Sequence, residues 1–195
     1  LSNGDTASYS SGDSSASLVF TTTIADGDTD TSDLSVSSYS GTIADAAGGA
    51  AAATGTVDLG AVIVDASTPD ITGCDATDGA YGVAELLTIT CTYNEAVTVT
   101  GTPTITLSNS DVASYASGSG STAIVFTTTV AEGDTASNDL SVSSIAPTAG
   151  GATMKDANAN AVSTTITGGD LGAVTVDGAV PVFSTCTATD GAYGV

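Results

Sequence analysis

Apolar and polar residues alternate along most of the chain with a period of two, the pattern of half-buried β-strands. In "AELLTITCTY" (84–93) the predicted inward side chains are Leu87, Ile89, Cys91 and Tyr93, with threonines between them. Similar runs follow: "AVTVTG", "TPTITLS", "DVASYA", "STAIVFTTTV", "NDLSVSSI" and "LGAVTVD". Turn-forming Gly, Asp, Asn, Pro and Ser separate them. The pattern predicts an all-β fold, and seven or eight short strands in about 108 residues favour a two-sheet Ig-like sandwich.

The chain also repeats itself. Residues 1–38 match residues 107–144 at an offset of 106, and "DLGAVIVD" (58–65) matches "DLGAVTVD" (170–177) at an offset of 112. The closing "CTATDGAYGV" (186–195) repeats "CDATDGAYGV" (74–83) at the same offset of 112. A structural unit of about 106–112 residues is therefore indicated.

These offsets predict the domain organisation. We expect residues 1–65 to be the C-terminal part of a first Ig-like repeat, 66–69 a linker, and 70–177 a complete repeat. Residues 178–195 would be the first strand of a third repeat. We therefore interpret the sequence as a window cut from a longer tandem array.

Three stretches carry a family resemblance: "DGAYGVAELLTITCTYNEAVTVTGTPTITL" (78–107), "ASYASGSGSTAIVFTTTVAEGD" (113–134) and "MKDANANAV" (154–162). They resemble the Ig-like, cadherin-like repeats of giant bacterial and algal cell-surface proteins. The resemblance implies tandem sandwiches that serve as stalks, adhesins or fibres. The cysteine pair departs from that pattern, and so does "DANAN" where such repeats have "DAAGN".

The charge balance excludes several functions. With 22 Asp and Glu against one basic residue, Lys155, the net charge is −21 and His is absent. Nucleic acids and anionic membranes need Lys or Arg to offset phosphate. No apolar run of about 18 residues is available to span a bilayer. Without His, the usual general base and the commonest metal ligand are missing, so we predict that the chain is not an enzyme.

The three cysteines follow the repeat. Cys74 and Cys91 lie 17 residues apart around the first predicted hairpin, and Cys186 repeats Cys74. A Cys74–Cys91 disulfide would stabilise the unit by about 3 kcal/mol in the loop-entropy model and would imply an oxidising, extracellular setting. The alternative is two unpaired buried cysteines. The partner of Cys186 would fall beyond the chain end.

Acidic residues near the predicted junctions suggest calcium as the one candidate cofactor. Asp65 and Asp78 recur as Asp177 and Asp190, and Glu95 lies in the predicted "NEAV" turn. Asp65, Asp78 and Glu95 would form a weak site, since calcium takes six to eight oxygen ligands. The alternative is solvated acidic side chains at turns. "DGDTDTSD" (26–33) is not an EF-hand, because it lacks Gly at the sixth loop position and the closing Glu.

Exposed polar side chains suggest two further features. The threonines of "TVTGTPTIT" (98–106) would carry O-linked glycans, bind a repetitive surface, or simply form the solvent face of a strand. Lys155, in a Gly- and Asn-rich stretch, is predicted to lie in an exposed turn that trypsin cuts quickly.

The combined interpretation is a structural repeat of an extracellular filament or cell-surface fibre whose partners are copies of itself, joined end to end. We predict that the strand at 181–195, with Val182, Phe183 and Cys186, completes a neighbouring sandwich. Burial of Val182 and Phe183 would contribute about 1.5–3 kcal/mol each. The alternative function is an adhesin that recognises a glycan or a partner protein.

Overall fold

A computed structural model of the chain describes residues 1–51, 55–187 and 190–191. It divides into two compact units. The first unit comprises residues 1–68 together with 157–161, and the second comprises 69–156 and 162–195. Apart from one three-residue 3-10 turn, Ala149–Gly151, the regular elements in the described ranges are strands. The predicted all-β class is confirmed.

Four short strands belong to the first unit: β1 (Ser8–Ser11), β2 (Val19–Thr21), β3 (Ser35–Val36) and β4 (Val57–Asp58). The second unit holds β5 (Ile71–Ala76), β6 (Gly79–Gly82), β7 (Leu86–Thr100), β8 (Thr104–Leu107), β9 (Val112–Ser117), β10 (Ser121–Thr129), β11 (Val142–Ala146), β12 (Thr153–Lys155) and β13 (Val174–Asp177). Within the described ranges, no helix is long and apolar enough to cross a bilayer.

Seven strands of the second unit form one sheet in the order β11-β8-β9-β10-β7-β12, with β5 also paired to β7. Its strand pairings are antiparallel. A separate parallel pair joins β13 to β6. Because β7 pairs with β5, β10 and β12, this one strand connects most of the unit.

The alternation predicted for β7 is confirmed. Leu87, Ile89, Cys91 and Tyr93 are buried, whereas Thr88 and Thr92 are exposed. The two strands predicted at 84–93 and around 96–101 are instead one 15-residue strand. The predicted break at "NEAV" is an irregularity in the pairing with β10, where the register moves from Ala123↔Thr92 to Ser121↔Val97. Extra residues in one strand bend it without ending it.

The first unit has two separate two-stranded pairs, β1-β2 and β3-β4. Both resemble pairings in the second unit at sequence-equivalent positions. Tyr9 pairs with Phe20 as Tyr115 pairs with Phe126. On β3 and β4, Ser35 pairs with Asp58 as Ser141 pairs with Asp170. The matching segments of sequence thus fold locally in the same way.

One glycine explains why the β9–β10 turn is so tight. Gly118 has φ +104°, and an added Cβ would lie 2.1 Å from the main-chain oxygen of Ala123. Its equivalent Gly12 has φ +106° and the same 2.1 Å approach, to Ser17. Only glycine tolerates both the left-handed φ and the close contact.

Candidate functional site

The predicted disulfide joins β5 and β7, the first and third strands of the second unit. Cys74 on β5 and Cys91 on β7 stand directly opposite each other, and their sulfurs are 2.01 Å apart. Both residues belong to the hydrophobic core. The Cys74–Cys91 prediction is confirmed. A buried disulfide is typical of proteins from oxidising compartments, which favours an extracellular location.

The segment after β13 lies away from the core. Residues 178–187 form no strand, and Val182 and Phe183 are 82% and 93% exposed. Cys186 is exposed, with a free thiol. The equivalent of Phe183 is Ile71, which is 2% exposed on β5. Positions 188–189 and 192–195 of the predicted assembly strand lie outside the described residues.

The acidic residues predicted as calcium ligands are distributed over both units. Glu95 lies on β7 just beyond Tyr93, which pairs with Ile71 at the start of β5. Asp78 follows the other end of β5, where its carboxylate accepts a 2.8 Å hydrogen bond from the Ala173 main-chain N–H. Asp78 and Glu95 therefore lie at opposite ends of the β5–β7 pair and do not form one site. Asp65 belongs to the first unit. Calcium binding at Asp65 or Glu95 stays a prediction.

Asp65 has partners that the sequence did not reveal. The side-chain amide of Asn158 donates to its carboxylate, and that of Asn160 donates to its main-chain oxygen at 3.1 Å. These asparagines belong to residues 157–161 of the first unit. The sequence signal for this contact was the Asn-containing "DANAN" stretch at 156–160. Its asparagines act here as hydrogen-bond donors.

Two carboxylates of the acidic loop at 26–33, those of Asp28 and Asp30, accept hydrogen bonds. Asp28 accepts a 2.7 Å bond from the Ala25 N–H. Asp30 accepts 2.7 Å bonds from the Ala66 N–H and the Ser67 hydroxyl, and these bonds hold the pKa of Asp30 below its usual value. Such carboxylates order turns, as Asx motifs do.

Lys155 is not in a turn, contrary to the sequence prediction. It is the last residue of β12, paired with Thr98 on β7, and is followed by the buried Asp156. A protease must pull the bond out of a paired strand to cut it. We therefore expect trypsin to cut native protein at Lys155 slowly, and rapid cutting under native conditions would contradict this strand assignment.

The threonine-rich segment faces outward in part. Thr98 and Thr100 are exposed on β7, while Thr104 and Thr106 on β8 are half-buried. The hydroxyl of Thr100 is hydrogen-bonded to that of Thr153 across the β7–β12 pair, at 2.7 Å. Glycosylation and binding to a repetitive surface both stay predictions.

The first unit exposes a large set of apolar side chains. We call the following five residues the open face: Leu18, Phe20, Ile24, Leu59 and Val62. Phe20 is 46% exposed and Leu59 is 43% exposed. Their equivalents in the second unit, Phe126 and Leu171, are fully buried. The equivalents of all five residues belong to one core cluster in the second unit, and a patch of exposed apolar side chains marks a surface that normally receives a partner.

Comparison with known proteins gives no assignment. No protein-family model, no curated protein and no solved structure matches the chain. Any statement about function therefore rests on the chain's own repetition, disulfide, charge and exposed surfaces.

Proposed function

We propose that the chain is a structural segment of an extracellular filament or cell-surface fibre, built from tandem Ig-like sandwiches joined end to end. The observation that carries the proposal is the repetition of one fold-forming pattern. Asn3 and Asp5 make the same side-chain bond as Asn109 and Asp111, at 2.7 Å and 2.6 Å. Repetition at this level of detail is typical of arrays in which each unit contacts its neighbours.

The disulfide of the second unit and the net charge of the chain are both compatible with an extracellular location. The Cys74–Cys91 disulfide links β5 to the central strand β7, so it stabilises the unit under extracellular, oxidising conditions. The net charge of −21 would keep neighbouring arrays soluble and mutually repelling. Both properties suit a stalk or fibre better than a compact catalyst.

The exposed segment after β13 supports end-to-end joining. Val182 and Phe183 expose nearly all of their apolar surface in a single chain. Their burial against another copy would contribute about 1.5–3 kcal/mol each. A tail-to-head contact of this kind is heterologous and need not close, so it propagates into a linear assembly.

Electron microscopy of purified chain and of native material tests the function. We expect linear particles with a regular axial repeat. Phe183→Asp should shorten the assemblies of the purified chain, whereas Val112→Asp, at an exposed position on β9, should not. Compact, unassociated particles in native material at high protein concentration would contradict the proposal.

A further inference from the structure

One segment supplies much of the core that surrounds the second unit's counterpart of the open face. Ile124, Phe126, Val130, Leu171 and Val174 are equivalent to the open face, and each is at most 2% exposed. Residues 69–107 supply more than half of the surrounding buried core: Ile71, Cys74, Ala76, Leu87, Ile89, Cys91, Tyr93, Val97, Ile105 and Leu107. Residues 1–68 themselves contain no stretch that matches residues 69–107.

Strand edges show the same relation. In the second unit β10 pairs with β9 on one side and with β7 on the other, through Val125↔Thr90 and Phe126↔Ile89. The equivalent strand β2 pairs with β1, and no strand in the described part of the chain occupies its other edge. The β3 edge differs, because Ser2 already donates a 2.8 Å main-chain hydrogen bond to Ser35 on β3, as Ser108 just after β8 donates to Ser141. An unpaired edge beside exposed apolar side chains is a template for an added strand.

The predicted assembly strand does not fit these edges. Residues 183–187 are equivalent to β5, and β5 makes its strand pairing with β7. A strand of β5 type therefore needs a strand of β7 type beside it before it can join the unit. A segment that contains both β7 and β8 types matches the open edge of β2 together with residues 38–40.

We propose that the open face of the first unit is a binding surface for a segment with the sequence of residues 69–107, supplied by another repeat. Its β7-type strand pairs with β2 in the register Val19 to Thr90 and Phe20 to Ile89. Its inward Leu87 and Ile89 side chains cover the open face, and its β8-type strand pairs with residues 38–40, the equivalents of Ser144, Ile145 and Ala146 on β11. Residues 181–187 take part only as the β5-type strand at the beginning of such a segment. This inference rests on the proposed function in one respect: another repeat supplies the segment.

The test adds a synthetic peptide of residues 69–107, with its disulfide formed, to the 195-residue chain at about 0.15 M salt, where repulsion between the acidic partners is screened. Amide hydrogen exchange is followed by mass spectrometry. We expect saturable protection of about tenfold or more in residues 8–24 and 59–64. Residues 121–130, whose equivalent edge is already occupied by β7, should not change. Peptides with Leu87→Asp and Ile89→Asp, and a peptide of residues 178–195, should give no protection.

A second experiment tests the proposal even when the free peptide does not fold on its own. A copy of residues 69–106 is fused directly before Leu1, with a matched fusion that carries Asp at the copies of Leu87 and Ile89. Protection of residues 8–24 in the native-sequence fusion alone supports the proposal. The proposal is overturned if neither the native peptide nor the native fusion protects more than its Asp control, or if the 178–195 peptide protects equally well. If the peptide binds but microscopy shows no linear assemblies, the proposed function is contradicted and this inference stands.

Discussion

Phe20 in the first unit and Phe126 in the second occupy equivalent positions, and each ring packs edge-on against an equivalent tyrosine. The centroid distances are 5.9 Å to Tyr9 and 6.5 Å to Tyr115. The pairing registers are the same, irregularity included. Yet Phe20 is 46% exposed while Phe126 is fully buried. The strand pair itself is therefore specified locally, whereas the burial of its phenylalanine depends on other strands: β10 is also paired with β7, and β2 has no second partner among the described strands.

The comparison separates local strand pairing from burial in a hydrophobic core, two contributions to stability that usually occur together. In the described part of the first unit, the buried apolar side chains are Leu34, Val64 and Ala66. The second unit has a continuous cluster that includes residues from β5, β7, β8, β10 and β13. Since apolar burial is the dominant favourable term in folding, we expect the second unit to be far more stable than the first.

The largest expected effect comes from truncating the two phenylalanines. Phe126→Ala should reduce the free energy of unfolding of the second unit by about 3–5 kcal/mol, because it removes a fully buried ring and leaves a cavity. Phe20→Ala should cost the first unit about 1 kcal/mol or less, because much of the ring is already in water. Denaturant titrations with hydrogen exchange assigned to each unit measure both, and Val112→Ala is the exposed control. Equal losses would show that the open face is not open in solution.

The disulfide gives the next largest difference. Cys74→Ser combined with Cys91→Ser should reduce the stability of the second unit by about 3 kcal/mol, since the unfolded chain regains the freedom of a 17-residue loop. The first unit should be unaffected. Cys186→Ser is the matched control and should leave both transitions unchanged. Thermal melts with and without reductant provide the measurement, and an equal response of both units to reduction would contradict the assignment of the bridge.

Tyr93 offers a smaller, stabilising change. Its hydroxyl is buried without a hydrogen-bond partner, and burial raises the pKa of Tyr93 above its usual value. Tyr93→Phe should therefore raise the stability of the second unit by about 1 kcal/mol, because it removes an unsatisfied polar group.

The direction of the Tyr93 pKa shift determines how the stability of the second unit depends on pH. Because the folded pKa of Tyr93 lies above the unfolded one, the neutral phenol's contribution is complete below about pH 10. That contribution is lost as the pH rises towards the folded pKa. Wild-type protein should lose stability above pH 10 faster than Tyr93→Phe in denaturant titrations of the second unit. Parallel pH profiles would mean that water reaches the hydroxyl.

Local features were predictable from the sequence. The alternation of Leu87, Ile89 and Cys91 has a period of two, so their common burial follows from strand geometry. The cysteine spacing around one hairpin predicted the Cys74–Cys91 bridge. These predictions depend on residues close together in the chain or on a pattern that recurs.

Features that depend on distant residues were not predictable. The "NEAV" stretch reads as a turn, but it continues β7 because β12, far along the chain, pairs with the strand beyond it. The same pairing takes Lys155 out of its predicted turn. The parallel β6–β13 pair and the Asn158 bond to Asp65 each join residues over 90 positions apart. Local propensity carries no information about such register.

The smallest expected effect concerns Asp30, which the second unit replaces by Ala136. The carboxylate accepts bonds from the Ala66 N–H and the Ser67 hydroxyl, and it is fully exposed. Asp30→Ala should lower the thermal midpoint of the first unit slightly at pH 7. Because the folded pKa of Asp30 lies below the usual value of about 3.9, its contribution is present above that pH and is lost as the pH falls through the folded pKa. Wild type and variant should therefore converge in acid.

Ala136→Asp is the reciprocal control for that substitution. It places a carboxylate near the equivalent main-chain group, Gly178, whose neighbour Ala179 offers no hydroxyl where the first unit has Ser67. The gain in the second unit should be smaller than the loss in the first, because one of the two hydrogen bonds cannot form. Melts of both variants between pH 2 and pH 7, read separately for each unit, provide the measurement. A difference between wild type and Asp30→Ala that persisted unchanged in acid would mean that packing or turn propensity, rather than the charge of Asp30, distinguishes the two loops.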